Sequence, residues 1–371
     1  MQLLEYFYDR NNELSNYHQR KFTILETNLE TDLETDLETN KLLIYGSPHS
    51  GKSSLVLDYL MNYESEEILY IDFLDPKFQF RDMMQEDIEG FIQANSIKCV
   101  VLDHYVHEYF EILPLVNKLI IISDRAYDYG EEFGYLELPL LDYEEFFSFQ
   151  KRGSESQIFN YFLRQGTLPL LATQSIPKEH LFQIFIQSHF NASEQKLLAI
   201  LAHFNTSIVT THQLYSYAKE RYKISKDLIY RQIKEFKEKK IITFISDYDN
   251  PNNKKLIFFD FALAKYLALT QNFPKQFDTM VALSLIKHNV PIKSFYFMGY
   301  ITDKKYLVIP APFENEEIVW KKAHKKFSSY KKANIQKVYI ITVTLQYSFK
   351  IEDVPFEALP FYEWVVINDE D

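Results

Sequence analysis

The stretch Tyr45-Gly46-Ser47-Pro48-His49-Ser50-Gly51-Lys52-Ser53-Ser54 decides how the rest of the chain is read. It satisfies the phosphate-binding pattern G-x-x-x-x-G-K-[ST] without a gap, through Gly46, Gly51, Lys52 and Ser53. Glycine at both ends lets the backbone curl so that successive N–H groups point inward at phosphate oxygens. Gly46, Ser47, Pro48, His49, Ser50, Gly51, Lys52, Ser53 and Ser54 are therefore the residues expected around a nucleotide's phosphate tail. In that arrangement Lys52 reaches the β- and γ-phosphates and the Ser53 hydroxyl ligates Mg2+. Before the loop, Lys41-Leu42-Leu43-Ile44-Tyr45 reads as a buried strand; after it, Val56, Tyr59, Leu60 and Tyr63 recur at helical spacing. Strand, glycine loop and helix N-terminus come in the order such a site needs, and the helix end adds partial positive charge.

Composition sets the frame. A chain of 371 residues is long for one domain and suggests two or three. It has only 8 glycines, so two of them inside one short loop carry weight. The net charge of −12 argues against a general nucleic-acid coat and leaves room for a local basic face. The single cysteine, Cys99, rules out an intramolecular disulfide and reads as a small buried side chain in an apolar strand. No apolar run approaches the ~20 residues a bilayer requires, and no signal-peptide segment follows Met1, so the chain reads as cytoplasmic with no membrane partner.

Beyond the loop the pattern is strand–helix alternation. Ile68 to Phe73, Cys99 to Asp103, Lys118 to Ser123 and the short Tyr135 to Leu138 read as strands, with a helix from Met83 to Ala94. Alternation of this kind predicts an α/β fold with a mostly parallel sheet and ligands at the C-terminal strand ends. Gly46, Asp103 and Ser123 all fall at such ends. Ahead of the first strand, a short helix is expected within residues 1–24. The four Leu-Glu-Thr-Asp/Asn tetrads of Leu25 to Asn40 read as a repeat expansion looped out of the fold, to which no function is assigned.

Asp103 supplies the carboxylate that holds Mg2+ through its water shell, so the metal set is Ser53 and Asp103. The neighbour that often orients the attacking water is here His104, which accepts a proton near neutral pH and carries no fixed negative charge. Binding with slow hydrolysis is expected, with His104 as the catalytic candidate and Glu108 as an alternative base. Asp103, His104 and His107 also form an alternative metal cluster, lacking a third ligand of matching spacing. Ser123 is either a sensor for the γ-phosphate or lytic water, or a strand-end cap. Arg125 reads as a surface arginine or a phosphate contact.

Residues 191–260 change character. Helices are expected from Glu194 to Phe204, from Thr211 to Tyr222 and from a Ser225 cap to Glu238. A hairpin of Ile241 to Ser246 and Leu256 to Phe259 follows. Three helices and a hairpin make the winged helix-turn-helix pattern. In a DNA-reading version the third helix presents Lys226, Tyr230, Arg231 and Lys234 to the major groove. Lys219 to Lys255 holds eleven Lys or Arg against six Asp or Glu, a balance of +5 in a chain of −12. The alternative is a solvated face on a domain used for protein packing or self-association. From Phe273 the pattern returns to α/β: a helix from Phe277 to Lys287, a hairpin of Ser294 to Ile301 with Lys305 to Ile309, a lysine-rich helix from Glu316 to Lys332 and a strand from Val338 to Val343. The lysines of that helix read as a solvated face or a basic groove.

Taken together the chain resembles the archaeal-type prokaryotic AAA-superfamily ATPases that carry a winged helix and a C-terminal restriction-endonuclease-like domain. Gly46 to Ser54 looks like their nucleotide loop, and Ile68 to Asp75 like their second strand. Leu138-Pro139-Leu140-Leu141-Asp142-Tyr143-Glu144-Glu145-Phe146 is similar to their L-x-P-L-S-F-x-E-F signature. Tyr161 to Leu170, with Gly166 and Pro169, looks like their helical-lid G-x-x-P stretch, and Lys255 to Asp260 like the strand leaving their winged helix. The resemblance implies three domains: an ATPase domain with lid at 1–190, a winged helix at 191–272 and a nuclease-like domain at 273–371, with ATP and Mg2+ as cofactors. Departures are specific. The family's Asp-Glu pair is Asp103-His104 here, the Gly-Arg before the fifth strand is missing at Gly134-Tyr135, and Tyr306 to Pro312 stands where the nuclease core supplies an Asp and an E-x-K. Without those groups a divalent metal is not held for phosphodiester attack, and nuclease activity is not expected. The functions that remain are a Mg-ATP-binding switch, a DNA-binding regulator, or an interaction scaffold.

Overall fold

The computed structural model describes residues 2–10, 39–80, 85–110, 112–150, 152–173, 178–270, 272–296 and 298–368. The tetrads fall outside these residues as far as residue 38, as does the expected helix start at Met83. The chain divides into two compact units, Met1–Leu140 with Glu238–Lys240, and Leu141–Lys237 with Ile241–Asp371.

In the first unit, helix α1 (Gln2–Asp9) precedes strand β1 (Lys41–Tyr45), which runs through the glycine loop into helix α2 (Lys52–Tyr59). Strand β2 (Ile68–Asp72), helix α3 (Gln85–Asn95) and strands β3 (Cys99–Asp103), β4 (Lys118–Ser123) and β5 (Gly134–Glu137) complete it. The sheet order is β2-β3-β4-β1-β5 and every pairing is parallel. This is the P-loop NTPase arrangement of a parallel α/β sheet. Alternate residues of each strand face opposite ways, and both faces are covered. Leu43, Leu69, Ile71, Val100, Leu102, Leu119 and Ile121 pack with Leu3, Leu4 and Phe7 of α1 and Ile88, Phe91 and Ile92 of α3. Leu42, Ile44, Ile68, Tyr70, Val101, Ile120 and Ile122 pack with Leu55, Val56 and Leu60 on the other face. Cys99 belongs to this second core, and burial pushes its thiol up to about 12. From β1 the chain goes to the far edge, returns through β3 to β4, and crosses β1 to reach β5. The end of β1 therefore opens where successive connections part, the place such sheets reserve for ligands.

The second unit starts with helices α4 (Tyr143–Phe149), α5 (Glu155–Gln165), α6 (Pro169–Thr173) and α7 (Lys178–His189). Asp142 caps α4 in a capping box with Glu145, and Lys287 bridges both carboxylates. Between α5 and α6, Gly166 takes φ 85°, and a Cβ there would collide with both carboxylate oxygens of Asp260. Asp260 accepts from the Thr167 N–H at 2.5 Å, the Thr167 hydroxyl at 2.7 Å and the Leu263 N–H at 2.6 Å. The G-x-x-P stretch is thus fixed by a fully buried carboxylate 93 residues away in sequence.

Helices α8 (Ala192–His203), α9 (Thr211–Arg221) and α10 (Lys226–Glu238) follow, then an antiparallel hairpin of β6 (Ile242–Ser246) and β7 (Lys254–Phe258). Asn191 and Thr210 cap the first two helices, and the Ser225 hydroxyl accepts from the Leu228 N–H at 3.2 Å at the head of the third. Helices α11 (Phe261–Leu267) and α12 (Phe273–Lys287) lead into a mixed six-stranded sheet. Its strands are β8 (Ile292–Phe295), β9 (Gly299–Thr302), β10 (Tyr306–Pro310), β11 (Lys337–Thr342), β12 (Tyr347–Ile351) and β13 (Val354–Pro360), in the order β12-β13-β11-β10-β9-β8. Helix α13 (Glu316–Lys332) packs Val319, Ala323, Phe327 and Tyr330 on this sheet, and α14 (Phe361–Asn368) closes the unit. The run Ser294 to Ile301, expected as one strand, is two antiparallel strands: Tyr296 turns the chain at φ 45°. The strands and helix after Val343 were not read from the sequence.

Candidate phosphate-binding site

The loop between β1 and α2 has the backbone its glycines allow. Gly46 takes φ 151°, and a Cβ there would run into the Leu138 carbonyl oxygen just past β5. The Leu138 N–H in turn donates to the Tyr45 carbonyl at 2.7 Å, which ties the end of β5 to the start of the loop. His49 (φ 61°) and Gly51 (φ 95°) both adopt the left-handed region, and Gly51 is the N-cap of α2. The Ser50 N–H closes the turn on the Ser47 carbonyl at 3.2 Å. Ser47, Pro48, Ser50 and Lys52 are buried, His49 is exposed, and Ser53 and Ser54 are half-buried.

Lys52 is 6% exposed, and three acceptors surround its ammonium. Nζ donates to the Gly46 carbonyl at 3.0 Å, the Ser47 carbonyl at 2.9 Å and Asp124 Oδ1 at 2.9 Å. Asp124 stands directly after β4, with its side chain about one third exposed (32%). Burial alone would raise its pKa, but the neighbouring Lys52 ammonium outweighs that and holds it below the ordinary value.

Asp103, 2% exposed at the end of β3, lies beside the head of α2. Its Oδ2 accepts from the Tyr70 hydroxyl at 2.5 Å and its Oδ1 from the His104 N–H at 2.8 Å, and the Ser53 side chain lies close enough to lower its pKa. Burial pushes its pKa up, and the nearby imidazole and these hydrogen bonds restrain the rise. His104 adopts φ 56°, and its Nδ1–H donates to Asp72 Oδ1 at 2.9 Å, with Asp103 Oδ1 at 3.5 Å. Burial works against the charged imidazole, yet Asp72, Asp103 and Asp124 together raise its pKa.

These residues fit a magnesium-bound polyphosphate. One hydroxyl and one carboxylate at the head of a helix, beside a lysine in a glycine loop, form the donor set Mg2+ takes when phosphate supplies the remaining ligands. Among the described residues no group of three His, Cys, Asp or Glu is placed to hold a metal ion by itself. His107 turns instead to aromatic neighbours, its ring 5.8 Å from Tyr127 and 5.9 Å from Tyr129.

The structure brings together Gly46, Gly51, Lys52, Ser53 and Asp103, with His104 alongside. The buried Ser123 hydroxyl accepts from the Arg125 N–H at 3.3 Å, a strand-end cap. Glu108 is exposed on a short turn. In the second unit Lys226, Tyr230, Arg231 and Lys234 are all exposed along α10, and the Lys226 ammonium lies 5.4 Å from the centre of the Tyr230 ring. Sequence reasoning missed Asp124 and Asp72. The signal was present: each is a carboxylate at or just past a strand's C-terminal end, the criterion that selected Asp103.

A scan against protein-family models and a search of curated proteins return no match. Solved structures do. The chain is similar to the Walker-type ATPase of Pyrococcus abyssi, at 16% identity over 68% of this chain and 99% of that one, with a TM-score of 0.46. It is also similar to the ORC2 protein of Aeropyrum pernix, at 9% identity over 75% and 98% of the two chains, with a TM-score of 0.35. With TM-scores below 0.5, these likenesses assign nothing to this chain.

Proposed function

We propose that the chain is a Mg-ATP-binding switch protein of the AAA-like kind, with slow hydrolysis, whose bound state governs how its other parts meet a partner. The observation that carries this is the convergence at one sheet rim of a glycine loop, the Lys52 ammonium, and the Ser53–Asp103 hydroxyl–carboxylate pair. Magnesium would supply neutralisation of the phosphate charge here. Ser53 and Asp103 would hold it, and the loop amides with Lys52 would orient the phosphates. Slow hydrolysis is supported by His104, which stands where a carboxylate base would serve and whose Nδ1 is taken up by Asp72. In this reading residues 1–190 are the nucleotide-binding part with its lid, 191–272 a winged helix and 273–371 a nuclease-like domain without nuclease activity, in a cytoplasmic protein. The test is a titration of full-length protein with Mg-ATP. Wild type binds and Lys52→Ala does not; equal binding by the two rejects the reading.

A second reading, a DNA-binding regulator, is favoured by the exposure of Lys226, Tyr230, Arg231 and Lys234 on one helix inside a basic segment.

A further inference from the structure

Lys52 is required twice over. A phosphate tail needs its ammonium, and so does the structure as it stands, because the three protons of Nζ are matched by three acceptors. Two of these acceptors, the carbonyls of Gly46 and Ser47, are fixed by the loop backbone. The third, Asp124, is a charged side chain, about one third exposed, on the segment just past β4. A phosphate oxygen that approaches Lys52 finds a carboxylate already at hydrogen-bond distance, and like charges cannot share the ammonium at that range without cost.

We propose that Asp124 is a latch on Lys52. Its carboxylate holds the ammonium folded onto the loop, and a polyphosphate binds by displacing that carboxylate. Asp124 thus sets the affinity of the site by competition, acting through Lys52 and touching no phosphate. The chemistry of the group supports a latch over a sensor. An ionised carboxylate only accepts hydrogen bonds, and a phosphate oxygen offers it no proton, so Asp124 has no hydrogen bond to give a phosphate oxygen. The neighbouring Ser123, which has a hydroxyl to donate, has its oxygen engaged by the Arg125 N–H at the strand end. The inference rests on the nucleotide reading above and makes a demand of its own: removing a charge from the site improves binding.

The experiment is a titration of full-length wild type, Asp124→Asn, Asp124→Glu and Lys52→Ala with Mg-ATP and Mg-ADP by calorimetry. Asn keeps the size and drops the charge, and is expected to bind about tenfold more tightly, the ratio set by one charge-assisted hydrogen bond of a part-exposed pair. Glu retains the carboxylate and is expected to bind within about threefold of wild type, since its charge is kept. A merely structural role for Asp124 gives the opposite sign, because a loosened site binds less. Equal or weaker binding by Asp124→Asn, with wild type binding and Lys52→Ala not, overturns the latch and leaves the nucleotide site standing. Binding by Asp124→Asn alone supports the latch and shows it closed in wild type. Binding by none of the four proteins removes both readings.

Discussion

The Tyr70 hydroxyl donates to Oδ2 of Asp103 at 2.5 Å, so the carboxylate at the end of β3 is held by a side chain from the neighbouring strand. Tyr70 is itself buried, and burial followed by the Asp103 charge drives its pKa well up, so it remains a donor across the usable pH range. Tyr70→Phe deletes the donor and leaves a buried acceptor short of a partner. The expected loss is about 1–3 kcal/mol of unfolding free energy, with weaker Mg-ATP binding as Asp103 loses its fixed orientation. Urea unfolding monitored by circular dichroism measures the first; an unchanged midpoint would show that the bond contributes nothing.

Gly166 and Asp260 make a sterically stricter pair. Alanine at 166 must hold φ near 85° and also share space with a fully buried carboxylate. Gly166→Ala is expected to cost about 2–4 kcal/mol, combining backbone strain with a disturbed buried hydrogen-bond set. The check is chemical denaturation of the full chain, and wild-type stability in the variant would contradict the geometry.

Asp142 gives the chain an acid-side dependence. Burial alone would raise its carboxyl, but the Lys287 ammonium at 2.7 Å outweighs burial and holds it below the ordinary 3.8. A depressed folded value means the unfolded chain binds this proton more readily. The stabilisation is therefore complete above about pH 4 and is lost as pH falls through the folded value. Unfolding free energy measured from pH 7 down to pH 3 should decline at the acid end, and less steeply in Lys287→Met. Identical slopes in the two proteins would remove Lys287 as the cause.

On α10, Arg231→Glu combined with Lys234→Glu reverses two exposed charges while sparing Ile229, Ile233 and Phe236, which face the core. If this helix meets DNA, wild-type protein shifts a duplex at low salt, and the double variant loses roughly tenfold or more in affinity with a shallower salt dependence. No shift by wild type at low salt ends that reading.

Much of this was legible in the sequence because burial on both faces gives central strands an unmistakable run of Leu, Ile and Val. Lys41 to Tyr45, Cys99 to Asp103 and Lys118 to Ser123 are strands to the residue. The glycine loop was legible because its chemistry is local. What escaped depends on distant partners. Asp124 sits between Ser123 and Arg125, both singled out, yet nothing nearby in sequence says that Lys52, 72 residues earlier, will reach it. Asp72 was read only as part of its strand, and its bond to His104 depends on the register that pairs it with Asp103. In the second unit, β12 alternates half-buried and exposed residues over four positions before the buried Ile351, too short a run to stand out. The break at Tyr296 lies within an aromatic run whose composition favours continuing the strand.

Cys99, fully enclosed beneath the sheet with its thiol pushed up to about 12, is the chain's single sulfhydryl. The folded protein is accordingly expected to resist maleimides at neutral pH. A dye placed on one engineered surface cysteine will report from that position alone, with no background label to subtract and no need to mutate the native residue out of its core.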